Sequence, residues 1–512
     1  MLVKTFAAAV NGISATIITI EVSSSKGIQF FLVGLPDVAV RESHERIISA
    51  LQVNGYKFPR SRIVINMAPA DIRKEGSAYD LPLAIGIMAA AGDIDTALLD
   101  KYMLMGELSL DGSLQPIKGA LPIAIKAREE GFKGFILPKQ NAYEAAIVNN
   151  LDVFGVENIK EVIEFYSGKN NLQPTIVDTR KDFFAQQQQF EFDFSDVRGQ
   201  ESVKRALEVA AAGGHNIIMV GPPGSGKSML AKRLPTILPP LTLQEALETT
   251  KIHSVAGKIG SQISLLSQRP FRSPHHTISN VAMVGGGSHP QPGEISLAHH
   301  GILFLDELPE FSRSVLEVLR QPLEDRHINI SRAHFSVDYP AGFMLVASMN
   351  PCPCGYYNHP GRPCVCSPGA VQRYMNRISG PLLDRIDIHI EIIPVPFEKI
   401  SEQRPSETSS AVRERVIQAR EIQKRRFADH KGIYCNAQME SKHLRRHAVP
   451  DREGLSLLKN AMQQLNLSAR AYDRILKLSR TIADLDESES IHSPHLAEAI
   501  NYRNLDRESW GN

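Results

Sequence analysis

Residues 221–228 read Gly-Pro-Pro-Gly-Ser-Gly-Lys-Ser and fit the spacing G-x-x-x-x-G-K-[ST]. A loop of this kind binds phosphate. Gly221, Gly224 and Gly226 let the backbone wrap closely around an anion, with successive N–H groups converging on it. Lys227 is placed to reach the outer phosphates of a nucleotide, and the Ser228 hydroxyl to ligate Mg²⁺. Pro222, Pro223 and Ser225 complete the loop, and Met229 opens the segment after it. Residues 302–307, Ile-Leu-Phe-Leu-Asp-Glu, form an apolar run that ends in two carboxylates. Asp306 at such an edge holds Mg²⁺ through water, and Glu307 polarises an attacking water. A further apolar run, 343–348, leads to Asn350, whose amide orients that water or touches the γ-phosphate. Arg385, within Leu382-Leu383-Asp384-Arg385-Ile386-Asp387, suits a finger that reaches a neighbouring subunit's γ-phosphate. The alternatives are a local ion pair with Asp384 or Asp387, or Arg377 as the finger.

Two other groups invite a metal. Cys352, Cys354, Cys364 and Cys366 form two C-x-C pairs nine residues apart, which could close a tetrahedral thiolate site for Zn²⁺. A reduced loop or an oxidisable pair is the plainer reading. His275-His276 and His299-His300 are weaker candidates, because neighbours on a strand face opposite sides and offer one ligand per face. Residues 327–337 alternate like a hairpin with Arg332 near the tip and His334 after it. These are candidate DNA contacts, or simply solvated side chains.

The elements that must position these residues follow from pattern. Residues 217–220 read as a buried strand and those after Ser228 as a helix, so the loop lies at a helix N-terminus where the dipole favours anions. In front, residues 1–167 read as a mixed α/β domain. Residues 15–22 pair with 27–33, 62–66 form a strand and 79–91 an apolar helix. A hairpin joins 103–110 to 113–117 across Asp111-Gly112, and helices are expected at 121–130 and 142–148 around a strand at 134–137. Residues 168–190 lack apolar periodicity and read as a linker. A core domain follows over 191–395, carrying the Cys-rich insert 351–367 and a glycine-rich stretch 279–287 expected to be a mobile loop. Residues 396–512 are helical in pattern. The fold class is therefore α/β with a parallel sheet and a C-terminal helical lid. A net charge of +1 excludes a global basic field, so any nucleic-acid surface must be local. No stretch approaches a membrane span. Five cysteines, four of them crowded into 352–366, point to the reducing cytosol.

In this order the motifs resemble AAA+ ATPases. Residues 292–298 (Pro-Gly-Glu-Ile-Ser-Leu-Ala) and 308–311 (Leu-Pro-Glu-Phe) resemble the clade of magnesium-chelatase subunits and minichromosome-maintenance helicases. Lys74 to Asp80, Gly106-Glu107-Leu108 and residues 115–119 resemble the proteolytic domain of Lon. Ala78 and Leu121 stand where its Ser nucleophile and Lys base are expected, with Ser77 and Lys118 shifted near misses. Together the chain resembles the ComM/YifB family. The resemblance implies an ATP- and Mg²⁺-dependent homo-hexameric motor for DNA branch migration. Arg470 would contact the γ-phosphate from the lid, in the same subunit as Lys227, and Val197–Gln200 would lie against the adenine. A chelatase-type ATPase acting on a partner protein and a Lon-like protease are the alternatives.

Overall fold

The computed structural model describes residues 1–187, 189–287, 290–332, 335–395, 406–430, 432–465 and 467–503. The chain opens with a long antiparallel hairpin, β1 (Leu2–Asn11) and β2 (Ser14–Ser25), whose closing pair is Asn11 with Ser14. Gly12 takes φ +62°, which suits a two-residue turn. The expected pairing of 15–22 with 27–33 is therefore corrected. β3 (Phe30–Val33) instead runs parallel to β4 (Arg62–Ala68), which lies between it and β2. β5 (Tyr102–Leu104) joins the same sheet, while β6 (Glu107–Leu108) and β7 (Leu114–Gln115) form only a short hairpin across Asp111-Gly112. β8 (Gly134–Pro138) and β9 (Asp152–Val156) complete a seven-stranded sheet in the order β3-β4-β2-β1-β5-β8-β9. The helix Asp80–Ala91 is apolar on every face because it is buried on every face.

The segment expected to be a bare linker contains the helix Thr179–Gln186. Asp178 caps it, and Phe183 is buried against Leu241, Ala246 and Leu265. One aromatic anchor has no periodicity to betray it.

The second sheet holds β10 (Ile217–Val220), β11 (Phe271–Arg272), β14 (Ile302–Leu305), β17 (Met344–Met349) and β18 (Ile388–Glu391), all parallel, in the order β11-β14-β17-β10-β18. Its three central strands are buried at every residue, as helices on both faces require. The glycine-rich stretch is more ordered than expected. Asn280–Val284 is a helix with Met283 buried, and β12 (Gly285–Gly286) pairs with β13 (Gln291–Pro292). Gly285 sits at φ +109°, where a Cβ would lie 2.5 Å from the Gln291 carbonyl oxygen. β15 (His327–Arg332) and β16 (Phe335–Pro340) form the expected hairpin. Its middle touches the β1–β2 turn, where Ile13 packs into the cluster holding Val337. After residue 405 the described chain is helical, with Ser409–Arg426, Arg452–Gln464 and Ala469–Leu485 capped by Thr408, Asp451 and Ser468. Among the described residues, no helix is long and apolar enough to cross a membrane.

Candidate nucleotide site

β10, β14 and β17 are parallel neighbours in register, Val220 beside Met349 and Leu305 beside Ala347. The loops leaving them therefore converge at one edge. Gly221 N–H donates to the Met349 carbonyl at 3.1 Å, tying the first loop to the third strand. The helix Lys227–Ile237 starts from Gly226 at φ +89° with no side-chain cap, so its first N–H groups face the loop. A Cβ on Gly221 would lie 2.6 Å from the Ile392 carbonyl oxygen, so only glycine fits. The Ser225 hydroxyl is buried without a hydrogen-bond partner. An orphaned hydroxyl beside uncapped N–H groups is a donor set that fits a phosphate chain.

Lys227 is buried to 9% exposure, and its Nζ donates to the carbonyls of Gly221 (2.7 Å) and Pro222 (2.8 Å) and to Asn350 Oδ1 (3.2 Å). Burial lowers its pKa, and the carboxylates of Asp306 and Glu307 oppose that shift. Ser228 Oγ donates to Asp306 Oδ2 at 2.7 Å, and Ser348 Oγ bonds the other oxygen. Oxygens of Ser228 and Asp306 in direct contact fit a hard, oxygen-seeking Mg²⁺. Glu307 adopts φ +55°, an uncommon conformation for its type, and its N–H donates to Asp306 Oδ1. Its half-exposed carboxylate lies 3.7 Å from His276 Nδ1. A cavity of about 570 Å³ opens beside it, lined by Glu307, Asn350, Pro353, Arg373, Tyr374 and Arg377. Met229 is partly exposed on the first helical turn, and Pro223 lies under Gly355. His276, one of the weaker metal candidates, stands instead beside Glu307. No local signal links residues 276 and 307.

The arginines lie elsewhere. Arg385 donates from Nη2 to Glu324 at 2.6 Å and from Nη1 to the Pro381 carbonyl at 2.6 Å. Neither Asp384 nor Asp387 takes it. Asp384 binds Arg470 at 3.2 Å, and Asp387 binds Arg474 at 2.8 Å and faces His215 at 3.4 Å. Asn216, the residue before β10, donates to the Arg385 carbonyl. Arg385 and Arg470 thus flank the strand-entry edge, while the phosphate loop leaves the exit edge, about 13 Å away along four residues of strand. Arg470, expected to act beside Lys227, pairs here with Asp384 at the opposite edge. Its helix packs on Glu201–Gly213 and Ser409–Arg426, against the entry edge. Arg377, by contrast, lines the subunit's own cavity and pairs with Glu310 at 2.9 Å.

The remaining candidates divide. The four thiols of Cys352, Cys354, Cys364 and Cys366 gather within 4.8 Å of one another. His299 and His300 do not face opposite sides. His300 is at φ +57° in a turn, and both rings meet Glu248. His299 Nδ1 accepts from the Gly342 N–H at 3.0 Å, which leaves the proton on Nε2, the wrong tautomer for ligation there. The adjacent His299 and His300 rings hold the Glu248 carboxyl at about 2, while burial lowers His300 to about 4. Arg332 ends β15 opposite Phe335, and His334 lies outside the described residues. In the front segment, no hydrogen bond joins Ser77 to Lys118. The Lys118 stem lies against Gly257, and buried Leu121 donates its N–H to Ser254 Oγ at 3.3 Å. Ala78 packs on the front core. The Val197–Gln200 turn hydrogen-bonds through Gln200 Nε2 to the Ile393 carbonyl.

The chain matches three family models: "Magnesium chelatase, subunit ChlI" over residues 193–400, "Subunit ChlI of Mg-chelatase" over 20–141, and "Magnesium chelatase, subunit ChlI C-terminal" over 406–503. It is 44% identical over 500 residues to the competence protein ComM of Haemophilus influenzae, covering 97% of this chain and 96% of that one. It is 44% identical over 501 residues to the uncharacterized protein YifB of Escherichia coli, with the same coverage. A shorter match, 28% identical over 179 residues, reaches the magnesium-chelatase 38 kDa subunit of Rhodobacter capsulatus and covers 31% of this chain and 50% of that one. With a mixed α/β core on a parallel sheet and a helical C-terminal region, the chain belongs to the ComM/YifB family of magnesium-chelatase-like AAA+ ATPases, a family whose activity implies ATP and Mg²⁺.

Proposed function

We propose that this chain works in the cytoplasm as a ring, a homo-hexamer, that hydrolyses ATP to move branched or single-stranded DNA, with branch migration in recombination or natural transformation as its task. One observation carries the reading. Lys227, Ser228, Asp306, Glu307 and Asn350 gather at the exit edge of the sheet, while Arg385 and Arg470 flank the entry edge. Phosphoryl transfer calls for both sets. A head-to-tail ring joins them by laying one subunit's exit edge against the next subunit's entry edge.

In this account Ser228 and Asp306 would hold Mg²⁺, which would supply positive charge against the phosphates. Lys227 leaves the carbonyls of Gly221 and Pro222 for the outer phosphates. Glu307 orients and polarises the attacking water, and Asn350 fixes its position. Arg385 and Arg470 from the next subunit stabilise the charge of transfer. Arg332 and His334 are the proposed contacts to DNA phosphates in the pore. Zn²⁺ in the four-thiol pocket would be the second metal ion. The relative named a competence protein supports the DNA assignment. The chelatase-subunit matches favour a second reading, an ATPase that remodels a partner protein for metal insertion. ATP-dependent proteolysis has Ala78 and Leu121 against it, since neither residue does covalent or proton chemistry.

The test compares native chain with Lys227→Ala and Arg385→Ala on a four-way DNA junction. Native chain is expected to unwind the junction with ATP, and both variants to fail. Turnover indifferent to DNA but raised by a porphyrin-binding partner would overturn the DNA reading in favour of the chelatase one.

A further inference from the structure

The loop after Asn350 has little to hold it together. No described residue of 351–367 belongs to a helix or strand, Cys352 is fully buried, and Val365 is 84% exposed. Four sulfurs nonetheless meet there. Cys352 Sγ lies 3.3 Å from Cys354 Sγ and 3.7 Å from Cys364 Sγ, and Cys354 lies 3.5 Å from Cys364. A disulfide would bring a pair to about 2.05 Å, and all four cysteines are free. Four sulfurs bound at about 2.3 Å to one tetrahedral ion stand about 3.8 Å apart, close to the spacing here. An iron–sulfur cluster divides its four cysteines among two or more iron atoms and spreads them more widely. Soft thiolates in a closed tetrahedron select zinc over magnesium or calcium.

We infer that Cys352, Cys354, Cys364 and Cys366 bind one Zn²⁺, and that this ion locks the Asn350 edge of the nucleotide site against the phosphate loop. Two contacts transmit the constraint. Cys352 follows two residues after Asn350, which accepts from Lys227. Gly355, at φ +84°, lies so close over Pro223 that a Cβ would be 2.6 Å from its Cδ. Pro353, between two ligands, lines the cavity beside Glu307. The zinc site stands on its own geometry, whereas the locking role rests on the ATP-hydrolysis reading.

The experiment is elemental analysis of the full chain purified without added metal, followed by release of the ion with a mercurial thiol reagent and its reversal with dithiol and zinc. One zinc per chain is expected, without the visible absorption of iron. Cys364→Ser combined with Cys366→Ser is expected to lose the zinc and to raise the KM for ATP about tenfold, the scale of lost support around a site. Reversible release from native chain gives the same readout if that variant fails to fold. Folded chain with no zinc and four titratable thiols would overturn the site. Zinc lost with KM and kcat both unchanged would overturn the locking role. A native chain that holds zinc but never hydrolyses ATP would sink the functional reading and the locking role, and leave the site standing.

Discussion

Replacing Glu324 with Gln is expected to speed ATP turnover. Arg385 can serve a neighbouring subunit only by leaving Glu324, which it meets at 2.6 Å; the arginine is 11% exposed but the carboxylate 54%. A pair with one partner in solvent is worth about 1 kcal/mol or less. An arginine that stabilises phosphoryl transfer contributes at least about 10³ in rate, or about 4 kcal/mol. The pair is therefore a weak latch that the transition state overcomes. Freeing Arg385 should raise kcat by at most about fivefold at low salt, and the gain should shrink as salt screens the pair. Arg385→Ala should lower kcat by about 10³ with little change in KM, since the contact forms only during transfer. Loss of fold is not the cause expected, because the buried Arg385 Nε already lacks a partner. The assay is steady-state hydrolysis at saturating ATP and two ionic strengths, at a concentration where light scattering shows full assembly. Arg385→Ala with kcat within about threefold of native would refute the reasoning, since a finger is worth far more.

Gly355→Ala places a methyl against Pro223 at a backbone conformation that L residues avoid, so ATP affinity measured by a fluorescent analogue should fall while zinc content stays at one. Unaltered affinity would contradict the contact. Burial raises the Glu144 carboxyl from its usual 4.5 to about 7. The folded chain thus holds that proton more tightly than the unfolded chain. The stability tied to the neutral form is complete below pH 4.5 and lost as pH rises through 7, about 3 kcal/mol in all. Glu144→Gln should therefore melt above native chain at pH 8 and level with it at pH 5; parallel melting curves at both pH values would argue against this. Glu307→Gln should bind ATP normally yet turn it over at least about a hundredfold more slowly, checked by single-turnover kinetics.

The phosphate loop and the acidic strand were legible because strand, loop and helix are contiguous, and each part constrains the next. The partners of those groups were not. Glu324 is far from Arg385 in the chain, as His276 is from Glu307, and neither pairing leaves a local trace. Arg470 stands beside Asp384 at the strand-entry edge because its helix docks on Glu201–Gly213 and Ser409–Arg426, which spacing along the chain cannot report. In the front sheet, the Gly12-Ile13 turn closes a hairpin whose ten-residue first strand shows only a short apolar run in the sequence. Phe183 shows the same limit in the linker, where a single buried ring orders a segment of polar composition.

The most direct test mixes two inactive variants. Glu307→Gln keeps Arg385 and Arg470 but lacks the group that activates water, and Arg385→Ala keeps Glu307 but lacks the finger. If ATP is split between subunits, random co-assembly in equal amounts makes about a quarter of the interfaces complete, and turnover should return to about a quarter of native. Turnover no greater than the sum of the two variants alone would mean that each chain carries its whole site, and would contradict the account.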